Sequence, residues 1–194
     1  MTTSRRALLS GFLAMPLVPL TKALARGQEA PLLPLTRACE DEDEPTLGRE
    51  AGPFFRPNAP LKRDLFLDAP DGPPFTIAGY VVDDRCHPAP GSLIEIWHAD
   101  ENGDYDRQGF RLRGHQFADE QGRWWFNTVK PAPYSGRTRH FHFRVQRPGG
   151  AVLTTQLFFP GEPSNTRDWL FDETLLIAIT DASDGRFGRF DFVV

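Results

Sequence analysis

The chain has 194 residues, room for one domain of ordinary size and too few for two full-sized ones. Eighteen Pro, seventeen Gly, sixteen Phe and four Trp favour short aromatic strands joined by tight turns over a bundle of long helices. The net charge of −4 becomes −7, with 19 basic against 26 acidic side chains, for a chain starting at Arg26, which speaks against nucleic acid as a partner.

Residues 1–25 open with Met1-Thr-Thr-Ser-Arg5-Arg6, continue through a mildly apolar run to Leu20 and end in Ala23-Leu24-Ala25. A paired arginine, an apolar stretch and a small-residue site make up the grammar of a twin-arginine export signal, so an exported, periplasmic protein is expected. Pro16 and Pro19 would break a helix here, and no other stretch is long and apolar enough to span a bilayer. Residues 26–50, rich in Pro and charge and carrying the acidic run Glu40 to Glu44, read as an extended, solvated arm. Cys39 and Cys86 are the two cysteines. In an exported chain an even count predicts a disulfide, here joining the arm to the first hairpin and contributing roughly 2–4 kcal/mol.

Residues 51–194 form the expected domain. Strand-like segments run over 75–82, 92–97, 122–128, 139–145, 151–159, 174–179 and 189–194, separated by turn residues. This spacing predicts an all-β fold, a β-sandwich of mixed sheets with long loops. In the 139–145 segment, strand alternation puts Phe141, Phe143 and Val145 on a core face and His140, His142 and Arg144 on the other. The two imidazoles would lie roughly 6.6 Å apart at Cα, a spacing that suits a metal but also suits two hydrogen-bonded surface histidines. Tyr105 and Tyr134 end the turn-rich stretches Asp100-Glu-Asn-Gly-Asp-Tyr105 and Lys130-Pro-Ala-Pro-Tyr134. A phenol with a pKa near ~10 becomes a phenolate ligand only for a strongly acidic ion such as ferric iron. Taken singly, each tyrosine equally fits a loop residue with its ring on the core. His87, His98 and His115, near turns and strand ends, are expected to be solvated or backbone-bonded.

Five segments carry a resemblance: Gly52-Pro-Phe-Phe55, Val81-Val-Asp-Asp-Arg-Cys-His-Pro-Ala-Pro-Gly91, Ile96-Trp-His-Ala-Asp-Glu-Asn-Gly-Asp-Tyr105, Leu112-Arg-Gly-His-Gln116 and Pro133-Tyr-Ser-Gly-Arg-Thr-Arg-His-Phe-His-Phe143. In order and spacing they resemble the intradiol ring-cleavage dioxygenases, the catechol and protocatechuate 3,4-type enzymes, in a short, exported form. The resemblance implies non-haem Fe(III) held by Tyr105, Tyr134, His140 and His142 with a solvent hydroxide. It also implies an aromatic diol that binds as a dianion, displacing the hydroxide and Tyr134, and is cleaved by O2 between its hydroxyl-bearing carbons to a cis,cis-muconate-type diacid. Arg137 corresponds to a family arginine that stabilises charge on the ring, Gln156 to a glutamine behind the metal ligands, and Phe55 and Trp97 to walls of the substrate pocket. Phe54-Phe55 stands where relatives carry Tyr or Phe followed by Tyr, a departure that bears on specificity and leaves the metal ligands intact. Two alternatives stand beside this reading. One is a ferrous extradiol or cupin-type oxygenase using His140, His142 and Glu95; the other is an exported β-sandwich that grips carbohydrate with its aromatics.

Overall fold

The alternating apolar segments become two facing sheets in the computed structural model, which describes residues 44–182 and 185–194. The signal segment, most of the arm and Cys39 lie outside the described residues, and the expected disulfide lies outside them with Cys39. Cys86 occupies a turn with a φ of 61°. The strands are β1 (Pro74–Val82), β2 (Leu93–Trp97), β3 (Arg113–Phe117), β4 (Arg123–Val129), β5 (His140–Gln146), β6 (Leu153–Phe158), β7 (Ala178–Ala182), β8 (Gly185–Arg189) and β9 (Phe192–Val193). One sheet has the order β4-β1-β8-β7 with β9 also on β1; it is mixed, because β1 runs parallel to β8 and β9. The other, β3-β2-β5-β6, is antiparallel throughout. The result is the expected β-sandwich.

Between the sheets lies an aromatic core. Phe141, Phe143 and Val145 of β5 are fully buried, as the alternation requires. Their partners come from the mixed sheet: Phe141 meets Phe75 at 5.7 Å between ring centroids, and Phe143 meets Trp124 at 5.4 Å and Phe192 at 5.2 Å. Fully burying each such ring stabilises the fold by roughly 1.5–3 kcal/mol. The opposite face of the antiparallel sheet is the one that carries polar chemistry. Register aligns Arg113, Trp97, His142 and Gln156 in one line across β3, β2, β5 and β6. His140 pairs with Phe158 one step further along.

Three expectations change. β3 was not anticipated, because Arg-Gly-His-Gln-Phe has little strand propensity; it forms because β2 supplies a hydrogen-bonding edge and Gly114 lets the Lys62 carbonyl sit where a Cβ would be. The 174–179 segment begins instead as a 3-10 turn, Glu173–Leu175, capped by the Asp172 carboxylate on the Thr174 N–H at 3.0 Å; the strand starts at Ala178. The terminal 189–194 segment is split, with β8 ending at Arg189 and β9 starting at Phe192.

That break is caused by a crossing over β1. The carbonyl of Phe190 lies where a Cβ on Gly79 would be, and the Asp191 carboxylate accepts the Tyr80 N–H at 3.0 Å. Gly79→Ala is therefore expected to force the two backbones apart. The cost should be about 3 kcal/mol or more, a fall in Tm of roughly 6–12 °C, measured by thermal unfolding. An unchanged Tm would show that the crossing yields freely.

The described part of the arm lies against the sandwich. Arg49 N–H donates to Thr154 O at 2.7 Å, the Thr155 hydroxyl donates to Leu47 O at 2.7 Å, and Thr46 N–H donates to Val193 O at 3.0 Å. Residues 46–50 thus run beside β6 and deliver Gly52 to Phe55 to the polar face.

Candidate metal centre

Two turns carry the tyrosines, and they are tied to each other. The Asp100 carboxylate accepts the N–H groups of Asn102 and Asp104, each at 2.9 Å, and Arg111 Nη1 at 2.8 Å. Burial raises the Asp100 carboxyl pKa, but these bonds outweigh it and hold the group below its ordinary value. Asp100 O accepts the Ala132 N–H at 2.8 Å, which ties the second turn to the first. Gly103 has a φ of 88°, and a Cβ there would stand 2.6 Å from Pro133 O. Only glycine meets both conditions. The close approach puts the Tyr105 and Tyr134 rings edge to face at 5.4 Å.

On the strand side, His140 and His142 project from β5 towards Tyr105. Tyr105 Oη lies 3.1 Å from His142 Nε2 and 3.4 Å from His140 Nε2, and the two Nε2 atoms are 3.1 Å apart. All three side chains are buried. His140 donates its Nδ1–H to Thr138 O at 2.6 Å, which leaves the Nε2 lone pair facing the cluster. His142 Nδ1 is buried without a hydrogen-bond partner among the described residues, and the ring stacks on Trp97 at 5.0 Å with 5° between planes. Burial lowers the His140 pKa to about 4 and drives His142 well below its usual range, helped by neighbouring His140 and Arg137. Both imidazoles are neutral near pH 7, as metal ligands must be. Burial pushes the Tyr105 phenol upward, with Arg137 and Arg113 opposing, so ionising it needs a cation close at hand.

Three converging polar atoms, one of them the His140 Nε2 lone pair, fit a metal ion. A triangle with sides of 3.1, 3.1 and 3.4 Å has a point about 1.9 Å from every corner, slightly inside an imidazole–metal bond of about 2.0–2.1 Å. Small side-chain adjustments would let one ion meet all three. Among the described residues no three His, Cys, Asp or Glu side chains cluster to hold a metal; the third atom that meets the two imidazole nitrogens is the Tyr105 hydroxyl. Glu95, the carboxylate of the ferrous alternative, is paired with Arg144 at 3.3 Å and lies in the next cross-strand line.

The other expected residues fall around this triangle. Tyr134 is half-buried and its hydroxyl is not one of the three converging atoms; its ring abuts Tyr105 and Phe54. Arg137 gives Nη2 to Gln156 Oε1 at 2.6 Å, and Gln156 gives Nε2 to Glu50 O at 2.8 Å. Trp97 is the wall behind His142. Phe55 packs on Trp97 at 5.1 Å and under the Arg144 guanidinium at 4.8 Å, one layer removed from the phenols. Its neighbour Phe54 stacks directly on Tyr105, at 4.3 Å and 10°.

Sequence reasoning passed over three contributors. Phe54 stands out in the sequence only as part of the Gly52-to-Phe55 motif. Arg113, a buried cation on the Trp97 line, donates Nη1 to Phe54 O at 2.6 Å and Nη2 to Asp106 O at 2.8 Å, clamping the segments on either side of Tyr105. Asp168, whose side chain is fully buried, accepts Arg137 Nε; its one sequence signal is an acidic residue beside the apolar run Trp169-Leu170-Phe171. The uninvolved histidines are backbone-bonded or solvated, as expected. His98 is buried, with Nδ1 on Ala99 O and Nε2 on the Thr128 hydroxyl, each at 2.7 Å.

Fold and site together define a β-sandwich protein with a two-histidine, tyrosine-rich centre on the outer face of one sheet. A family model described as Dioxygenase matches residues 50–185. The protocatechuate 3,4-dioxygenase beta chain of Burkholderia cepacia is 29% identical over 175 residues, 78% of this chain and 72% of that one. Hydroxyquinol 1,2-dioxygenase of Rhodococcus opacus is 34% identical over 155 residues, covering 67% of this chain and 50% of that enzyme. The chain therefore spans half the length of the latter relative. Among solved structures, the dioxygenase domain of a dioxygenase carbohydrate-binding protein fusion from Streptomyces sp. SirexAA-E superposes with a TM-score of 0.76 at 47% identity, covering 78% of this chain and 98% of that domain. The chain belongs to the intradiol ring-cleavage dioxygenase family.

Proposed function

We propose that the protein holds a ferric ion through Tyr105, Tyr134, His140 and His142 and cleaves a catechol-type diol with O2 between its hydroxyl-bearing carbons, releasing a cis,cis-muconate-type diacid. The observation that carries this reading is the triangle of Tyr105 Oη and two imidazole Nε2 atoms within 3.1–3.4 Å, with a second phenol beside it. Bound ferric iron would supply a Lewis acid that draws electron density from the diol and readies the ring for O2. With the two phenolates and a hydroxide the trivalent charge is balanced, so the centre can stay buried.

The remaining steps belong to the chain's own groups. Tyr134, half-buried and outside the tight triangle, would be the more replaceable of the two phenolate ligands and would accept a diol proton at its oxygen. Neutral His140 and His142 hold their places because one is bonded to Thr138 O and the other stacks on Trp97. Arg137 supplies a fixed cation where negative charge develops on the ring. Phe54 and Trp97 keep water from the Tyr105 and His142 sides. The twin-arginine-type start is read as an export signal, which would place this chemistry in the periplasm.

The test is oxygen uptake with catechol and identification of the product. One O2 consumed per diol, with both atoms in a muconate-type diacid, is expected. A ring-opened semialdehyde would indicate extradiol cleavage, and no uptake by iron-loaded protein would overturn the assignment. Tyr134→Phe should keep its iron, change colour and slow turnover by about 10²–10⁴-fold, the range of a general base. Unchanged colour and rate would remove Tyr134 from the ligand set.

A further inference from the structure

Asp168 belongs to none of the segments that carry the family resemblance, yet it joins the two halves of the site. Its buried carboxylate accepts Arg137 Nε at 2.9 Å on Oδ1 and 2.8 Å on Oδ2, Thr138 N–H at 2.8 Å and Leu170 N–H at 3.0 Å. The Leu170 bond only shapes the local turn. The other bonds reach the reaction centre by two routes.

The first route runs through the guanidinium, a rigid planar fork with five N–H donors. Asp168 takes the Nε edge and Gln156 takes Nη2 at 2.6 Å. With those positions engaged, rotation about the side-chain axis is blocked, and Nη1 is left without a partner among the described residues. The second route runs through Thr138. Its N–H rests on Asp168, its hydroxyl donates to Asn165 Oδ1 at 2.6 Å, and its carbonyl accepts the Nδ1–H of His140 at 2.6 Å. The residue that Asp168 holds by its amide therefore sets the imidazole of a candidate ligand by its carbonyl.

Resting on the ferric-site reading above, we infer that Asp168 is a positioning residue. One buried carboxylate fixes Arg137 with Nη1 left for the substrate and braces His140 through Thr138. A residue needed only for the turn would behave differently, because Asn still offers an oxygen to Leu170 N–H. What Asn cannot do is accept Arg137 Nε–H on both oxygens, since its amide N–H groups face that donor.

The experiment is a double-mutant cycle on the iron-loaded full chain with Asp168→Asn, Arg137→Ala and the pair. Two quantities are read: kcat and KM for catechol, and the dissociation constant of 4-nitrocatechol in the absence of oxygen, followed by absorbance. Asp168→Asn should lower kcat by about 10–100-fold, with KM moved less than kcat, and should weaken 4-nitrocatechol binding. The double variant should fall below Arg137→Ala alone by much less than Asp168→Asn costs in the wild type, the remainder being the route through Thr138 to His140. Asp168→Glu, which keeps the charge but moves the carboxylate outward by one methylene, serves as the second variant if Asp168→Asn does not fold. Its loss should likewise shrink on the Arg137→Ala background. A wild-type protein that carries iron and cleaves catechol, but in which the two losses multiply or Asp168→Asn is silent, overturns this inference alone. A wild type without iron or turnover overturns the site reading, and this inference with it.

Discussion

Replacing His142 by alanine is expected to strip the protein of iron and to lower catechol turnover by about 10³-fold or more, beyond the roughly 10–100-fold typical of a residue behind the ligands. His142 Nε2 is the corner of the triangle nearest to both other atoms, 3.1 Å from Tyr105 Oη and 3.1 Å from His140 Nε2. Among the described residues no side chain nearby can replace it. Trp97, stacked on the ring, has no lone pair to offer, and Glu95 is engaged by Arg144. His115→Gln is the matched control, because His115 bonds Ala59 O at 2.7 Å, away from the triangle, and should keep its full iron content. Metal analysis of the two variants checks the expectation. Near-normal iron in His142→Ala would show that the ion is held elsewhere.

Arg137→Ala is expected to leave iron and resting colour intact while lowering kcat by about 10²–10³-fold, the effect of removing one preorganised donor from a developing charge. The guanidinium is largely buried, with 21% of its side chain exposed, and Asp168 and Gln156 fix it beside the triangle. Its charge bears on Tyr105, His140 and His142 alike. An interaction that grows in the transition state lowers kcat and kcat/KM together. Steady-state kinetics decide the matter: a raised KM with unchanged kcat would make Arg137 an ordinary substrate anchor.

The legible parts of this molecule are those governed by short-range rules. Strand alternation within seven residues was enough to separate the core face of β5 from its histidine face, because a strand has a period of two whatever its neighbours. Motif spacing pointed to Tyr105 and Tyr134, yet their meeting depends on Gly103 admitting Pro133 O and on Asp100 bonding Ala132, contacts between turns about thirty residues apart in the chain. Phe55 is the pocket wall expected from the sequence, and only the docking of the arm along β6 brings its neighbour Phe54 onto the phenol instead. β3 was hidden because its edge partner and Gly114, not its own side chains, make it a strand. Asp168 was hidden for a related reason, since a buried carboxylate is defined by its cation, and Arg137 lies thirty-one residues away.

The most direct test of the central claim is the iron content and visible spectrum of the purified protein, before and after adding catechol without oxygen. About one ferric ion per chain, a strong phenolate-to-iron absorption band at rest and a shift of that band when catechol displaces Tyr134 are the predicted results. A colourless, iron-free protein after ferric reconstitution, or bound iron with no phenolate band, would contradict it.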